Sequence, residues 1–541
     1  MKKVLFLFFL SVTLLSCMKE KNADIIVHNA KIFTIDSQYT IHDAMAIKNG
    51  KIIEVGAEHQ ILNKYNAKEW INAQQREVYP GFTDAHGHLI SMMHQKLNID
   101  LRNTNSFEEI IQILSKFKHK KKFILARGWD QSLWKNTKFP SNQELNILFP
   151  NIPVLLIRVD GHAALANEFL LKKAKIDLNT KIDGGKIIVE NGKMTGLVLD
   201  NVINELLKHL PSYSITEKMD VLTNIETELL SYGITEVHEA GIERDEIDLF
   251  KKMYKQKGFV LSVYAMLMPT PQNIDFVKKN GKVSYKNLHI RSFKIVGDGS
   301  LGSRGACLKR PYHDENHLFG HLLFKSNEIE KILKMAKKYD YQVNTHAIGD
   351  STNKLLLNLI AATFPDNKNH RCRMEHAQVL DENDFSLFSK HGVIPSVQPT
   401  HAVSDMRWAE DRLGKKRLQG GAYAYARLLK ECGIIVFGTD FPVELFNPFL
   451  TIHAAVERKN KSNEPEMGFL PEQKISLKDC IKAMTIWPAF ASFQENKKGS
   501  LEKGKEATFF IAYYPIETNK KFKENYSYMT FIKGKKVYSA E

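Results

Sequence analysis

One rhythm, repeated eight times, constrains this chain more than any other feature: a short apolar run, polar residues at its end, then a helical stretch. The runs end at Gly81–His88, Thr235–Glu239, Val263–Met268, Phe293–Gly297, Val343–His346, Met374–His376, Ile394–Gln398 and Ile435–Asp440. Short apolar runs bounded by polar turns read as buried strands, and intervening helices as parallel crossovers. Eight such units predict an α/β fold, a (β/α)8 barrel of the TIM type, with functional groups at the C-terminal ends of the strands. Those ends are where the sequence carries His, Asp, Lys and Gln.

The barrel region is placed at 80–494, far longer than the ~250 residues a typical barrel uses. A large insertion after the first strand is therefore expected, at about 100–225. It holds its own strands, Phe123–Ala126 and Val154–Val159, and a hairpin signal at Asn191-Gly192. The two ends of the chain are β-rich. Ile25–Val27, Lys31–Ile35 and Ala44–Ile47 lead through an Asn49-Gly50 turn to Lys51–Val55, and the far end repeats the pattern with Ala507–Tyr513 and Tyr528–Ile532. Edge strands need partners, so segments 24–79 and 495–541 are expected to build one small β-sandwich together.

Asp84-Ala85-His86-Gly87-His88 carries the first chemistry. Residues two apart in a strand share a face, so His86 and His88 point the same way, as half of a metal site does. Downstream, His346, His376 and Asp440 each end a predicted strand. A carboxylate in the last position can bind a metal and accept a proton from water. Each singleton is weak; their order on one barrel pattern is not. Lys294 lies inside the apolar fourth strand, where burial lowers its pKa. The alternative is a lysine ion-paired with Asp298 or another carboxylate.

The longer motifs give the set a family likeness. They are Gly128-Trp129-Asp130-Gln131, Asp160-Gly161-His162-Ala163-Ala164, Asp298 to Arg304, His346-Ala347-Ile348-Gly349-Asp350 and Ser396-Val397-Gln398-Pro399-Thr400-His401. With the His-x-His pair they resemble the amidohydrolase superfamily, and within it the YtcJ-like branch, over nearly all of the chain after its leader. The resemblance implies a metal-dependent hydrolase of amide-like C–N bonds of N-acyl or formamide type. It implies one or two divalent ions, zinc first, on His86, His88, Lys294, His346, His376 and Asp440, with Lys294 as a metal-bridging carbamate. A metal lowers the pKa of bound water to about 7, and Asp440 is the expected proton carrier. Trp129, His162, His238, Gln398 and His401 are the candidates for the substrate pocket, with core packing an equal rival for Trp129. Asp350 is expected to orient His346 or to begin a helix. Two rivals share these residues: an esterase or lactonase, and a catalytically dead binding protein. The second requires a lost ligand, and none is missing.

Hydrophobic content of 43% and charged content of 25% are those of a globular protein. The net charge of +15 comes from scattered lysine, and the densest run, Lys118 to Lys122, is too short for a nucleic-acid surface. Cys307, Cys372, Cys432 and Cys480 match no zinc-cysteine spacing. The expected partner is a small amide-like molecule, with a homo-oligomer left open.

Lys2-Lys3 followed by the apolar run Val4–Leu15 reads as a signal segment, too short to span a bilayer well. It ends in Leu14-Leu15-Ser16-Cys17, which resembles a bacterial lipobox. Segment 1–17 is thus expected to direct export and to leave Cys17 lipidated, with a loose tether over Lys19–Asn22. The protein then sits on the periplasmic or cell-surface side of a membrane; the outer membrane is favoured because no Asp follows Cys17. Mass spectrometry of the N-terminal peptide tests this. The expected product begins at lipidated Cys17; an unmodified Cys17, or a cut well beyond it, overturns the reading.

Overall fold

The computed structural model describes residues 21–118, 121–365, 367–517 and 522–540. Cys17 and the leader lie outside the described residues. Contacts divide the chain into two units: 90–225, and the remainder.

In the larger unit the eight runs form parallel strands: β1 (Phe82–Gly87), β2 (Ile234–Ile242), β3 (Ser262–Leu267), β4 (Leu288–Val296), β5 (Gln342–Ala347), β6 (Arg373–His376), β7 (Ile394–Val397) and β8 (Val436–Phe437). They neighbour one another in that order, with Glu236 opposite Ser262 and Lys294 opposite Asn344 as sample registers. A short strand, Val283–Tyr285, adds antiparallel to β4. The crossover helices show why they pack. Ser326–Tyr339 buries Ile329, Ile332, Leu333 and Ala336, the spacing of one helical stripe.

The barrel closes where the chain beyond β8 meets β1. Asp440 N–H donates to the His86 carbonyl at 2.7 Å, and Thr439 N–H to the Asp84 carboxylate at 3.1 Å. This approach requires glycine at 438: a Cβ there would stand 2.4 Å from the His86 nitrogen.

The chain ends form two further sheets. Lys51–Gly56, Ala44–Lys48, Lys21–His28 and Tyr65–Asn72 make the first, entirely from the N-terminal segment. In the second, Phe509–Ala512 pairs antiparallel with Glu77–Pro80, which joins the two ends of the chain. Val27, Met45, Val78, Phe509, Ile511 and Phe531 share one apolar core. Asn49-Gly50 turns with both residues at positive φ, the hairpin geometry its sequence signals. The first strand starts earlier than the sequence suggests: Lys21 and Asn22 pair with Tyr65 and Asn66, which removes them from the expected tether.

The smaller unit begins at Ile90, ahead of the expected 100. Its six-stranded sheet runs Gly185–Glu190, Lys193–Asp200, Ala163–Ala166, Val154–Arg158, Ile124–Trp129, Ile99–Asp100. Among the described residues, no helix is long and apolar enough to cross a membrane.

Gly438→Ala should therefore lower the melting temperature, by overpacking worth about 1–3 kcal/mol. Thermal unfolding followed by circular dichroism checks this; an unchanged melt would mean that β1 and β8 do not approach so closely.

Candidate metal centre

His86, in β1, and His88, just beyond it, both reach Asp440: His86 Nε2 is 3.5 Å and His88 Nε2 3.0 Å from Oδ1. Two overlapping donor groups result, His86 with His88 and Asp440, and His376 with His401 and Asp440. In each, the ligand atoms lie within 4.8 Å of one another. The His346 ring stands 4.4 Å from that of His376, beside these groups rather than within them. Lys294, only 3% exposed, places Nζ 3.1 Å from His86 Nε2.

The electrostatics suit a cation. Burial, reinforced by Lys294, lowers His86 to about 4 and His346 to about 3. Burial also lowers His376 and Lys294. Burial opposes the Asp440 charge, but the His88 hydrogen bond and nearby imidazoles outweigh it and hold the carboxyl well below its ordinary value. At neutral pH this leaves His86 and His346 as neutral imidazoles beside an anionic carboxylate. Nitrogens of His346, His376 and His401 are buried without hydrogen-bond partners among the described residues. Buried polar groups are normally paired, and imidazole with carboxylate is a usual donor set for zinc. The residues present fit a divalent metal.

The backbone is shaped for this. His376, Ala377 and Asp440 take φ of 74°, 41° and 60°. Left-handed conformations at non-glycine residues cost of order 1–3 kcal/mol each and cluster at functional sites. Asp84 ties the ends of β1 and β8 together, accepting from His86 N–H at 3.1 Å and Thr439 Oγ1 at 2.6 Å. Burial raises its carboxyl to about 7.

The other expected residues divide. His401 is not merely a substrate contact: its Nε2 lies 3.7 Å from Asp440 Oδ2, among the donors. Gln398 is buried, with Oε1 unpartnered. His238 is no pocket residue. It is fully buried inside the barrel, with Nδ1 2.8 Å from Arg373 Nη1. Trp129 is likewise corrected. It lies in the apolar core of the smaller unit and donates its indole N–H to the Leu156 carbonyl at 2.8 Å. His162 is exposed in that unit, with Nδ1 2.8 Å from Asp200 Oδ1. Asp298 accepts from the backbone of Cys307, Ile348 and Gly349 and from Thr352, fixing the turn after His346, while Lys294 points at His86. Asp350 begins the helix Asp350–Thr363 and accepts from Lys309 N–H.

Sequence reasoning missed Glu375. Its carboxylate is fully buried and accepts from His86 Nδ1, from Ser396 Oγ at 2.6 Å and from Arg373 Nη2 at 3.0 Å. Burial opposes its charge, but Arg373 and His86 outweigh that and hold it below the usual carboxylate range. The available signal was the alternation Arg373, Glu375 in a strand with no exposed face.

Comparison with known proteins gives a consistent picture. The sequence model described as "Amidohydrolase family" matches residues 69–538. The putative amidohydrolase YtcJ of Bacillus subtilis is 28% identical, over 90% of this chain and 93% of its own. The N-substituted formamide deformylase of Arthrobacter pascens is 22% identical, over 90% and 93%. The crystal structure of an uncharacterized metal-dependent hydrolase from Pyrococcus horikoshii superposes with a TM-score of 0.77 at 26% identity, covering 90% of this chain and 96% of that one.

Glu375→Gln removes the anion that orients His86. Partners of this kind typically contribute 10–100-fold in metal affinity, so a loss of roughly that size is expected in a chelator-competition titration. Wild-type affinity in the variant would show that Glu375 does not support the centre.

Proposed function

The chain belongs to the amidohydrolase family and is a metal-dependent hydrolase, and we propose that it cleaves amide-like C–N bonds outside peptides, of the N-acyl or formamide type. The observation that carries this reading is the buried convergence of His86, His88, Lys294, His376, His401 and Asp440 at the C-terminal mouth of one barrel. The full-length similarity to a formamide deformylase supports the bond type.

His86, His88, His376 and Asp440 would hold the ion, with His346 and Lys294 completing the set, the latter as a carbamate. The nitrogen and oxygen donors favour zinc, in one or two ions. When bound, such an ion supplies a Lewis acid for the carbonyl and lowers the pKa of water to about 7. The chain's own residues do the rest. Asp440, ionised among imidazoles, accepts the proton of the attacking water at a carboxylate oxygen and delivers it to the leaving nitrogen. The unpartnered Oε1 of Gln398 offers an acceptor to a substrate N–H. Glu375 holds the His86 ring, with Nδ1 turned away from the donors. The lipobox-like leader supports export and a tether at Cys17.

A panel of formamides, N-acyl amines, N-acyl amino acids and esters, offered to metal-reconstituted protein, tests the bond type. Turnover confined to esters overturns it. Two variants separate metal assembly from proton transfer. Lys294→Ala should lose metal as well as activity, with short carboxylates restoring part of both. Asp440→Asn should keep more of its metal, yet turn over roughly 10²–10⁴-fold more slowly, the scale of positioned acid–base catalysis. Metal content by elemental analysis decides. Full metal and most of the rate in Lys294→Ala would make that lysine a structural residue.

A further inference from the structure

The place where the chain enters its fold is also a place where positive charge collects. Lys21, exposed, begins the strand Lys21–His28, which pairs antiparallel with Ala44–Lys48, Ile25 opposite Ile47 and Val27 opposite Met45. That register carries the Asn49-Gly50 turn back toward the start of the strand, and Asn49 N–H donates to Asp24 Oδ2 at 2.7 Å. A second hairpin tip, Lys533-Gly534, lies against the first: a Cβ on Gly50 would stand 2.8 Å from the Lys533 carbonyl oxygen.

Exposed lysines flank both tips, Lys48 and Lys51 on one, Lys533 and Lys535 on the other. Lys48 and Lys51 are direct cross-strand partners, and like charges set opposite one another cost stability. The carboxylates nearby do not cancel this charge. Asp24 is engaged by Asn49 N–H and faces Lys68 at 3.7 Å. Glu506, opposite Lys51 in an isolated bridge, lies 3.5 Å from Lys533. Glu54 and Glu502 are paired with Lys64 and Lys505. Among the described residues, Lys21, Lys48, Lys51 and Lys535 make no ion pair.

Reach and charge together say what meets this surface. Cys17 precedes Lys21 by four residues, so chain geometry keeps a lipid on Cys17 within ~14 Å of that strand. A bilayer holding the lipid is then the nearest large partner, and anionic headgroups attract basic residues that come within a Debye length of them. The metal centre lies at the other end of the barrel. Lys533 Nζ donates to Asn287 Oδ1 at 2.8 Å, and Asn287 immediately precedes β4. Lys294 stands seven residues further along, which at ~3.3 Å per residue is ~23 Å up the strand.

We infer that the two hairpin tips dock on anionic phospholipid headgroups, and that the protein lies on this surface with its metal centre directed away from the membrane, open to substrate from solution. The inference rests on the reading of Cys17 as a lipid anchor for what brings the membrane within reach; the charge of the tips does not.

The test uses the full chain as isolated from its host, reconstituted on vesicles of phosphatidylcholine alone or of phosphatidylcholine and phosphatidylglycerol in equal parts. Lysine reactivity toward an acylating reagent is read by mass spectrometry. Lys21, Lys51 and Lys533 should react about fivefold more slowly on the anionic vesicles than on the neutral ones, the population shift that headgroup attraction of a single lysine supports. Lys415, exposed on the helix Ala409–Gly421 beyond His401, should react equally on both. The triple variant Lys48→Gln, Lys51→Gln, Lys535→Gln breaks no ion pair, and its melting temperature and metal content should match wild type. In it, the protection of Lys21 and Lys533 by anionic lipid should disappear. Equal reactivity of the tip lysines on the two vesicles, protection that survives in the variant, or protection of Lys415 instead would overturn the inference. Mass spectrometry of Cys17 in the same preparation separates this outcome from the anchor reading. Should Cys17 carry no lipid, the anchor reading fails and co-sedimentation decides the surface. The protein should then pellet with the anionic vesicles at low salt and not with the neutral ones, and the triple variant should remain in the supernatant. Pelleting with neither, or with both alike, overturns the docking.

Discussion

Glu375 is a carboxylate kept from water. It is fully buried, and its oxygens are met by His86, Ser396 and Arg373. Removing a carboxylate from water is costly unless charge and hydrogen bonds replace the lost hydration. Arg373 supplies the charge, and it is itself held by His238 and by the Ala85 carbonyl. This arrangement fixes which nitrogen of His86 faces the donor cluster. With Nδ1 committed to Glu375, Nε2 is left toward Asp440 and Lys294. Partners of this kind set the tautomer of a metal-binding histidine and raise its basicity.

Barrel closure does complementary work. His86 and Asp440 stand at opposite ends of the strand order, and they meet because the sheet returns on itself. Asp84 takes hydrogen bonds from both sides of that seam, and glycine at 438 lets the backbones approach. The left-handed backbones at His376 and Asp440 are the accompanying strain. Strain of this size persists only when the surrounding structure over-determines it, and here the surroundings are buried hydrogen bonds and a closed sheet. A fold that closed less tightly would let both residues relax, and the donor groups would separate.

Much of this was legible in the sequence because it is local. Eight apolar runs with polar ends identify the strands, and turn residues with positive φ identify the hairpins. His86, His88, His346, His376 and Asp440 are each announced by their place at a strand end. What was not legible depends on tertiary contact. His401 lies one helical step past β7, and only the closure of the barrel brings it to Asp440. Trp129 carries a motif-like neighbourhood, yet its indole is spent on the Leu156 carbonyl inside an apolar core. Glu375 was hidden by its neighbour. Alternation places Arg373 and Glu375 on one face of β6 and would send His376 to the other. The left-handed turn at His376 breaks that alternation, so both faces of the strand end contribute to one centre.

Lys294 brings these constraints to a point. Its Nζ lies 3.1 Å from His86 Nε2, the lone pair a cation needs. As an ammonium ion it would donate to that nitrogen and withhold the ligand. Burial works against the ammonium form, while Glu375 and Asp440 work for it. On the proposed reading the conflict is resolved by chemistry at the amine. Carbon dioxide would add to the neutral nitrogen with loss of a proton, and an amine that competes for His86 would become a pair of oxygen donors. The Asp440 carboxylate and the carbamate would then share the space on the Nε2 side of His86, an arrangement that divalent charge between them would stabilise. On that reading carbamate and metal would be coupled in this site, each making the other tenable, and the buried lysine would be tolerated in an apolar strand because its charge would not persist.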